Sequence, residues 1–381
     1  MMKSQPLTGV KVVDFSTLLP GPMCTLLLAE AGAEVIKVEK PGVGDDMRSY
    51  TPKSGDDSVN FGLLNRGKRS VAVDLKSDTG VKSVISLVAE ADIVVEQFRP
   101  GVMKRLGLGF ETLREVNPRL IYCSITGYGQ TGPKANRAAH DLNYMAESGL
   151  LGLSRGNDGA PVLPQVLVAD IAGGAYPAMM NILLALRQRD IDGRGRHLDV
   201  SMSDNLFTFA YWGLGQGLTG NGWPRPAGEL VTGGTARYQI YEAGDGQYLA
   251  AAPLEEKFWR NFVSAIGLPE LAAAEGTEDG VKEKIATVIR QQPANFWLEK
   301  FADMDTCVAR VVDLNDAAAD PHFEHRGIFA KNVKLSGGAS ISALPVPVDQ
   351  QFRSQEQTID APRLDQHPVF FRPEGQRGAA E

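Results

Sequence analysis

Short apolar runs alternate with stretches of helical periodicity over the first third of the chain. Residues 10–15, 34–39, 70–75, 93–96 and 120–126 read as strands, and 23–30, 78–89 and 110–116 as helices, the first closed by Gly32. Strands spaced this way by helices predict an α/β fold with a Rossmann-like open parallel sheet, because parallel neighbours need a long crossover that a helix supplies. Ligands of such sheets bind beyond the strand carboxyl ends. The loops 16–22, 39–44, 97–101 and 127–140 are therefore where function is expected.

A further strand is expected at 197–201, and the pattern then changes. Residues 213–234 are rich in Gly and contain Trp and Pro, which reads as a linker; 237–243 and 248–252 flank Gly244-Asp245-Gly246, a hairpin signal, and helices follow at 256–266 and 293–302. The division this predicts is a large domain over 1–215, a smaller α+β domain over 225–330, and a C-terminal segment, 331–381, that returns over the large domain or a partner. Residues 166–186 approach membrane length, with Asp170 and Asn181 as the only strongly polar side chains. Gly173, Gly174 and Pro177 interrupt them, and a central Asp costs about 2.5 to 3.5 kcal/mol in a bilayer, so the stretch reads as a buried strand-to-helix passage. Residues 1–6 and 378–381 carry no targeting signal, and none is expected.

Charge narrows the choice of ligand. Lys and Arg total 39 against 46 Asp and Glu, a net charge of -7, the opposite of the bias that phosphate neutralisation demands of a nucleic-acid binder. An anionic ligand would need a local basic cluster, and the large domain offers three: Lys37 with Lys40; Arg66, Lys68, Arg69 and Lys76; Arg99, Lys104 and Arg105. At successive strand ends they are expected to converge on one crevice that suits a polyanionic cofactor. Three widely spaced cysteines, Cys24, Cys123 and Cys307, make neither a disulfide framework nor a cysteine-rich zinc site, and fit a reducing cytoplasm.

Two motif matches lack their context. Gly127-Tyr128-Gly129-Gln130-Thr131-Gly132 has the dinucleotide spacing, but Pro133 follows where a helix should open, so no nicotinamide or flavin site is expected. Gly152-Leu153-Ser154-Arg155-Gly156 has the spacing of a nucleophile elbow, yet Asn157, Asp158, Gly159 and Pro161 extend a loop. His322 and His325 have only Glu324 beside them, which argues against a metal. His140 precedes Asp141 at a predicted helix start, where Asp141 is either a simple cap or part of a site with free N–H donors. Asp170 is likewise either a helix cap or, among Val166 to Ala175, a carboxyl desolvated enough for proton transfer or nucleophilic attack.

The segments Gly32-Ala33-Glu34-Val35-Ile36-Lys37-Val38-Glu39, Asn65-Arg66-Gly67-Lys68-Arg69-Ser70, Arg99-Pro100-Gly101, Thr126 to Pro133, Asp170-Ile171-Ala172-Gly173-Gly174 and Asp320-Pro321-His322-Phe323 resemble the class III CoA-transferase family, CaiB/BaiF type. The resemblance covers nearly the whole chain. It implies an interlocked homodimer, a coenzyme A thioester as substrate with no metal, and CoA contacts from Lys40, Val73, Lys76, Phe98 and Arg105. It also implies a catalytic Asp170. In the transferases that Asp is a nucleophile; in the α-methylacyl-CoA racemase branch it works with a His across the substrate α-carbon. His140-Asp141-Leu142-Asn143-Tyr144 resembles the racemase motif, and Leu254-Glu255-Glu256-Lys257-Phe258-Trp259 resembles the segment whose Glu, here Glu255, approaches the His. Two bases on opposite faces suit α-epimerisation. Arg237 and Arg310, absent from the usual racemase pattern, are expected to offer a substrate carboxylate a partner.

Overall fold

The computed structural model describes residues 5–367 except 157, 221 and 274–276. Residues 378–381, for which no targeting signal is expected, lie outside that range. The described residues form two compact units, one made of the chain up to Ser148, Pro164–Thr208 and the part from Pro321 on, the other of Gly149–Leu163 and Phe209–Asp320.

The first unit is built on six strands, β1 (Lys11–Asp14), β2 (Glu34–Glu39), β3 (Arg69–Ala72), β4 (Ile93–Glu96), β5 (Ile121–Thr126) and β6 (Arg196–Ser201). They form one sheet in the order β3-β2-β1-β4-β5-β6, every pair parallel. β4 and β5 are buried along their whole length, as a sheet covered on both faces requires. Crossovers include α1 (Pro20–Glu30), α2 (Asp78–Ala89), α3 (Val102–Arg105), α4 (Phe110–Val116), α5 (Asp141–Glu147) and α6 (Tyr176–Asp192). Capping explains where α2 starts: the Ser77 side chain accepts the Gly80 N–H, and Val84 and Val88 then face the core. The strand order reverses between β1 and β4, so the chain leaves those two carboxyl ends in opposite directions and opens a crevice there.

Three of the predicted cationic residues are internal supports rather than ligand contacts. Lys37 pairs with Asp45 at 2.8 Å, Arg66 with Glu30 at 2.7 Å and Lys68 with Asp14 at 3.3 Å, all with side chains no more than 2% exposed. Lys68 also donates to Thr25, Asn65 and the Pro22 carbonyl, and burial pulls its ammonium down to about 8. Arg69 pairs with Glu34. The charges of Lys37, Arg66 and Lys68 are thus compensated inside the protein and are not offered to a ligand, whereas the Arg69 pair is half-exposed.

The apolar stretch at 166–186 differs from its expectation. Ala169–Ala175 is a π-helical turn that runs directly into α6, with no strand. Gly173 fits there because a Cβ would lie 2.6 Å from the Met202 carbonyl, and Asn205 donates to the Gly173 carbonyl at 2.7 Å. By length and composition Ala169–Asp192 could cross a membrane. In the structure its Ala178, Ile182 and Ala185 are buried, and Arg189 pairs with Asp92 of the sheet. Its Met180, Leu183 and Leu184 remain exposed.

In the second unit, Gln239–Glu242 and Tyr248–Ala251 pair antiparallel around the predicted turn, and Val308–Arg310 adds a third strand. Trp259, Phe262, Trp297 and Phe301 pack as an aromatic core beneath them. The stretch expected to be a linker, 213–234, opens inside the helix Tyr211–Leu218. The C-terminal segment is also more regular than its composition suggests: Asn332–Lys334 pairs with Ser340–Ser342 and Thr358–Asp360, burying Val333, Leu335 and Ala361 against the helix Val59–Asn65.

Candidate active site

Two cavities open along the carboxyl edge of the sheet in the first unit, and Phe98, two residues after β4, lines both. One, of about 390 Å³, is lined from the ends of β1, β2 and β3 by Phe15, Val38, Lys40, Val73 and Lys76, among others, and from α3 by Val102. Its floor is apolar. Lys40 and Lys76 are exposed at its rim and form no ion pair among the described residues, so both charges remain open to an anion. Arg105 is exposed on α3 but is not in the lining, although Val102 and Leu106 on either side of it are.

The second cavity, of about 270 Å³, brings together Leu18, Gln97, Phe98, Arg99, Thr126, Arg137, His140, Tyr144, Asp170 and Met202, among others. Among these, Met202 is not brought out by the sequence alone. Met202 follows β6 directly, so the rule that function lies beyond strand ends would have found it. Gln97 ties the two sides of the crevice: its Oε1 accepts the Gly21 N–H at 2.9 Å, at the start of α1. Only Gly fits at 21, where a Cβ would lie 2.1 Å from that of Ser16.

His140 is the cap residue of α5, extended at φ -132°, and Asn143 accepts its backbone N–H at 3.0 Å, which fixes the start of the helix. Asp141 is buried in the first turn. Its Oδ1 accepts the backbone N–H of Asp170 at 2.9 Å, so α5 and the π turn hold each other by that contact. Asp170 therefore sits at a π turn, a form of helix that recurs at functional sites. Burial, and then the neighbouring Asp141, push the Asp170 carboxyl up to about 7. Burial raises Asp141 as well, against the backbone N–H bonds it accepts. A half-buried acid poised near neutrality beside an exposed imidazole can take or give a proton, or in its ionised form attack a carbonyl carbon.

Glu255 belongs to the second unit, where it is exposed and caps the helix Glu256–Ala265. Arg237 is committed locally: it donates to the Leu254 carbonyl at 3.1 Å, pairs with Glu256 at 2.9 Å and lies 4.9 Å over the Trp259 ring. Arg310 contacts Gln247 and Asp316. Both arginines thus have local partners in the second unit. Two other arginines line the second cavity: Arg99, which forms no ion pair among the described residues, and Arg137, which pairs with Glu147 at 2.8 Å.

A family model described as CoA-transferase family III matches residues 7–368. The acetyl-CoA:oxalate CoA-transferase of Acetobacter aceti is 33% identical over 97% of this chain and 95% of its own length. The α-methylacyl-CoA racemase of Mus musculus is 33% identical over 95% of this chain and 91% of its own. Among solved structures, a CaiB/BaiF family protein from Brucella suis matches with a TM-score of 0.82 at 30% identity, covering 96% of this chain and 98% of that one. Both reaction types thus stand at equal identity.

Proposed function

The chain belongs to CoA-transferase family III, an enzyme family of CoA-transferases and acyl-CoA racemases, and from that premise we propose that it racemises or epimerises a 2-methylacyl-CoA by two-base α-proton transfer. The observation that carries the reading is that His140 and Asp170 line one cavity while the Asp170 carboxyl is held near neutrality. Lys40, Val73, Lys76 and Phe98 hold the CoA part in the first cavity, with Arg105 at its margin, and the thioester passes Phe98 into the second. His140 removes the α-proton, the electron pair moves to the thioester oxygen as an enolate, and protonated Asp170 returns a proton to the opposite face. Backbone N–H groups at the start of α5, near Asp141, receive the enolate oxygen. The reverse direction exchanges the roles.

We place the enzyme in the cytoplasm as an interlocked homodimer. The exposed Met180, Leu183 and Leu184 of α6, and Phe209, Tyr211 and Trp223 of the second unit, support the assembly, since side chains of this kind are normally covered.

The second reading is a CoA-transferase, favoured by Arg99, which lines the same cavity without an ion pair among the described residues and so is available to an acid co-substrate. In that case ionised Asp170 attacks the thioester carbon and CoA leaves as thiolate; the thiolate attacks the aspartyl carbonyl and frees the first acid. The acceptor carboxylate then runs these steps in reverse: it attacks the aspartyl thioester and releases CoA as thiolate, and the thiolate attacks the acceptor's acyl carbon of the mixed anhydride, giving the new acyl-CoA and freeing Asp170 as carboxylate. Incubation with a 2-methylacyl-CoA in deuterated water decides between them. The racemase reading predicts α-deuteration without an acceptor acid. No label, together with a hydroxylamine-trappable acyl-enzyme when an acid is added, would overturn it.

A further inference from the structure

At the end of β4 lies a buried carboxyl that the proposed chemistry does not use. Glu96 is 4% exposed, and its Oε2 accepts the backbone N–H of Phe98 at 2.8 Å. Ser124, opposite it on β5, hydrogen-bonds Glu96 and meets His197 Nε2 at 2.9 Å. His197 is itself fixed, stacked on Phe110 with ring centroids 5.4 Å apart and edge-on to Tyr122. Asp199, opposite Ser124 on β6, accepts the Gln130 N–H through both oxygens at 3.1 and 3.0 Å. One row across three strand ends therefore holds the loop after β4 with one carboxyl and the glycine loop after β5 with another.

We infer that Glu96 is a positioning residue for acyl-CoA binding: it fixes the backbone at Phe98, the residue that lines both cavities. The inference rests on the proposal that these cavities take a CoA thioester. The loop needs such a tether because Phe98 is only partly buried and Arg99 is exposed, so packing alone leaves the turn loose. Glu96 lines neither cavity, whereas Phe98 lines both and Gln97 the second, which is why Glu96 acts through them and not on the substrate. Glu96 is the acceptor of the Phe98 N–H, so removing its carboxyl takes that hydrogen bond from the turn.

The test compares Glu96→Leu, which removes the acceptor, with Glu96→Gln, which keeps one. Glu96→Leu is expected to raise the KM for an acyl-CoA and weaken CoA binding by calorimetry about tenfold, with kcat within about threefold, while Glu96→Gln stays within about threefold in all three. Hydrogen exchange on the wild-type protein gives the second measurement, valid even if the Leu variant does not fold. The Phe98 amide is expected to be protected in the free protein, and exchange at the rate of an open loop overturns the inference. Unchanged KM and CoA affinity in a folded Glu96→Leu also overturn it, as does a loss confined to kcat. A wild-type protein that binds no CoA overturns the CoA reading and this inference with it, whereas tight wild-type binding with an equally tight Leu variant overturns the inference alone.

Discussion

Replacing Asp170 with Asn tests whether the carboxyl is desolvated as the site requires. An ordinary Asp titrates at 3.8, and burial beside Asp141 moves this one to about 7. Between those values the folded protein holds a proton that the unfolded chain has released, so stability falls as pH rises from about 4 to 7. A shift of about three units is worth about 4 kcal/mol in full, and the part released between pH 5 and pH 8 is about 2.5 kcal/mol. Partial solvent access to Asp170 reduces this, so about 1 to 2.5 kcal/mol is the expected range. Asn cannot ionise. Urea unfolding of both proteins at pH 5 and pH 8 should therefore show the variant gaining on wild type by that amount at the higher pH. A stability difference between the two proteins that stays constant within about 0.5 kcal/mol would refute the reasoning, because it would mean that Asp170 is solvated and ionised throughout.

Three further outcomes are expected. Gly21→Ala places a Cβ 2.1 Å from that of Ser16 and 2.8 Å from Gln97 Oε1, and should lower stability by about 2 kcal/mol or more, read by thermal unfolding, while raising the KM of any acyl-CoA. Arg66→Met leaves Glu30 buried without its main partner and should cost about 3 to 5 kcal/mol in urea, whereas Arg69→Met, at a half-exposed pair, should stay within about 1 kcal/mol. Lys76→Ala should weaken CoA binding about three- to tenfold at low salt, a loss that shrinks as ionic strength rises because the charge is exposed.

The alternation of apolar runs with helices was enough to read the parallel sheet. Strands such as 34–39, 93–96 and 121–126 are buried on both faces and so leave an unbroken apolar signature. The loops after the strands, read from the same rule, supply most of the lining of the second cavity and part of that of the first. Cationic residues were less legible. Lys40 and Lys37 are three apart at one strand end, yet one reaches solvent and the other is fully buried on Asp45, because a carboxylate at the start of a short turn, Asp45, folds back beneath the strand. Nothing local to Lys37 announces that partner. The π turn was hidden for a similar reason: it is fixed by Asp141, 29 residues away, and by Asn205, 32 residues from Gly173, so no window around Asp170 contains its cause.

The account's central claim is that His140 and Asp170 serve opposite faces of one α-carbon, and stereospecific exchange in the single variants tests it most directly. Each epimer of a 2-methylacyl-CoA is incubated in deuterated water with His140→Ala or Asp170→Asn, and the α-proton is followed by NMR. The account predicts that each variant washes label into one epimer only, that the two variants choose opposite epimers, and that neither racemises. Equal exchange of both epimers by either variant, or the absence of exchange in the wild type, would contradict it.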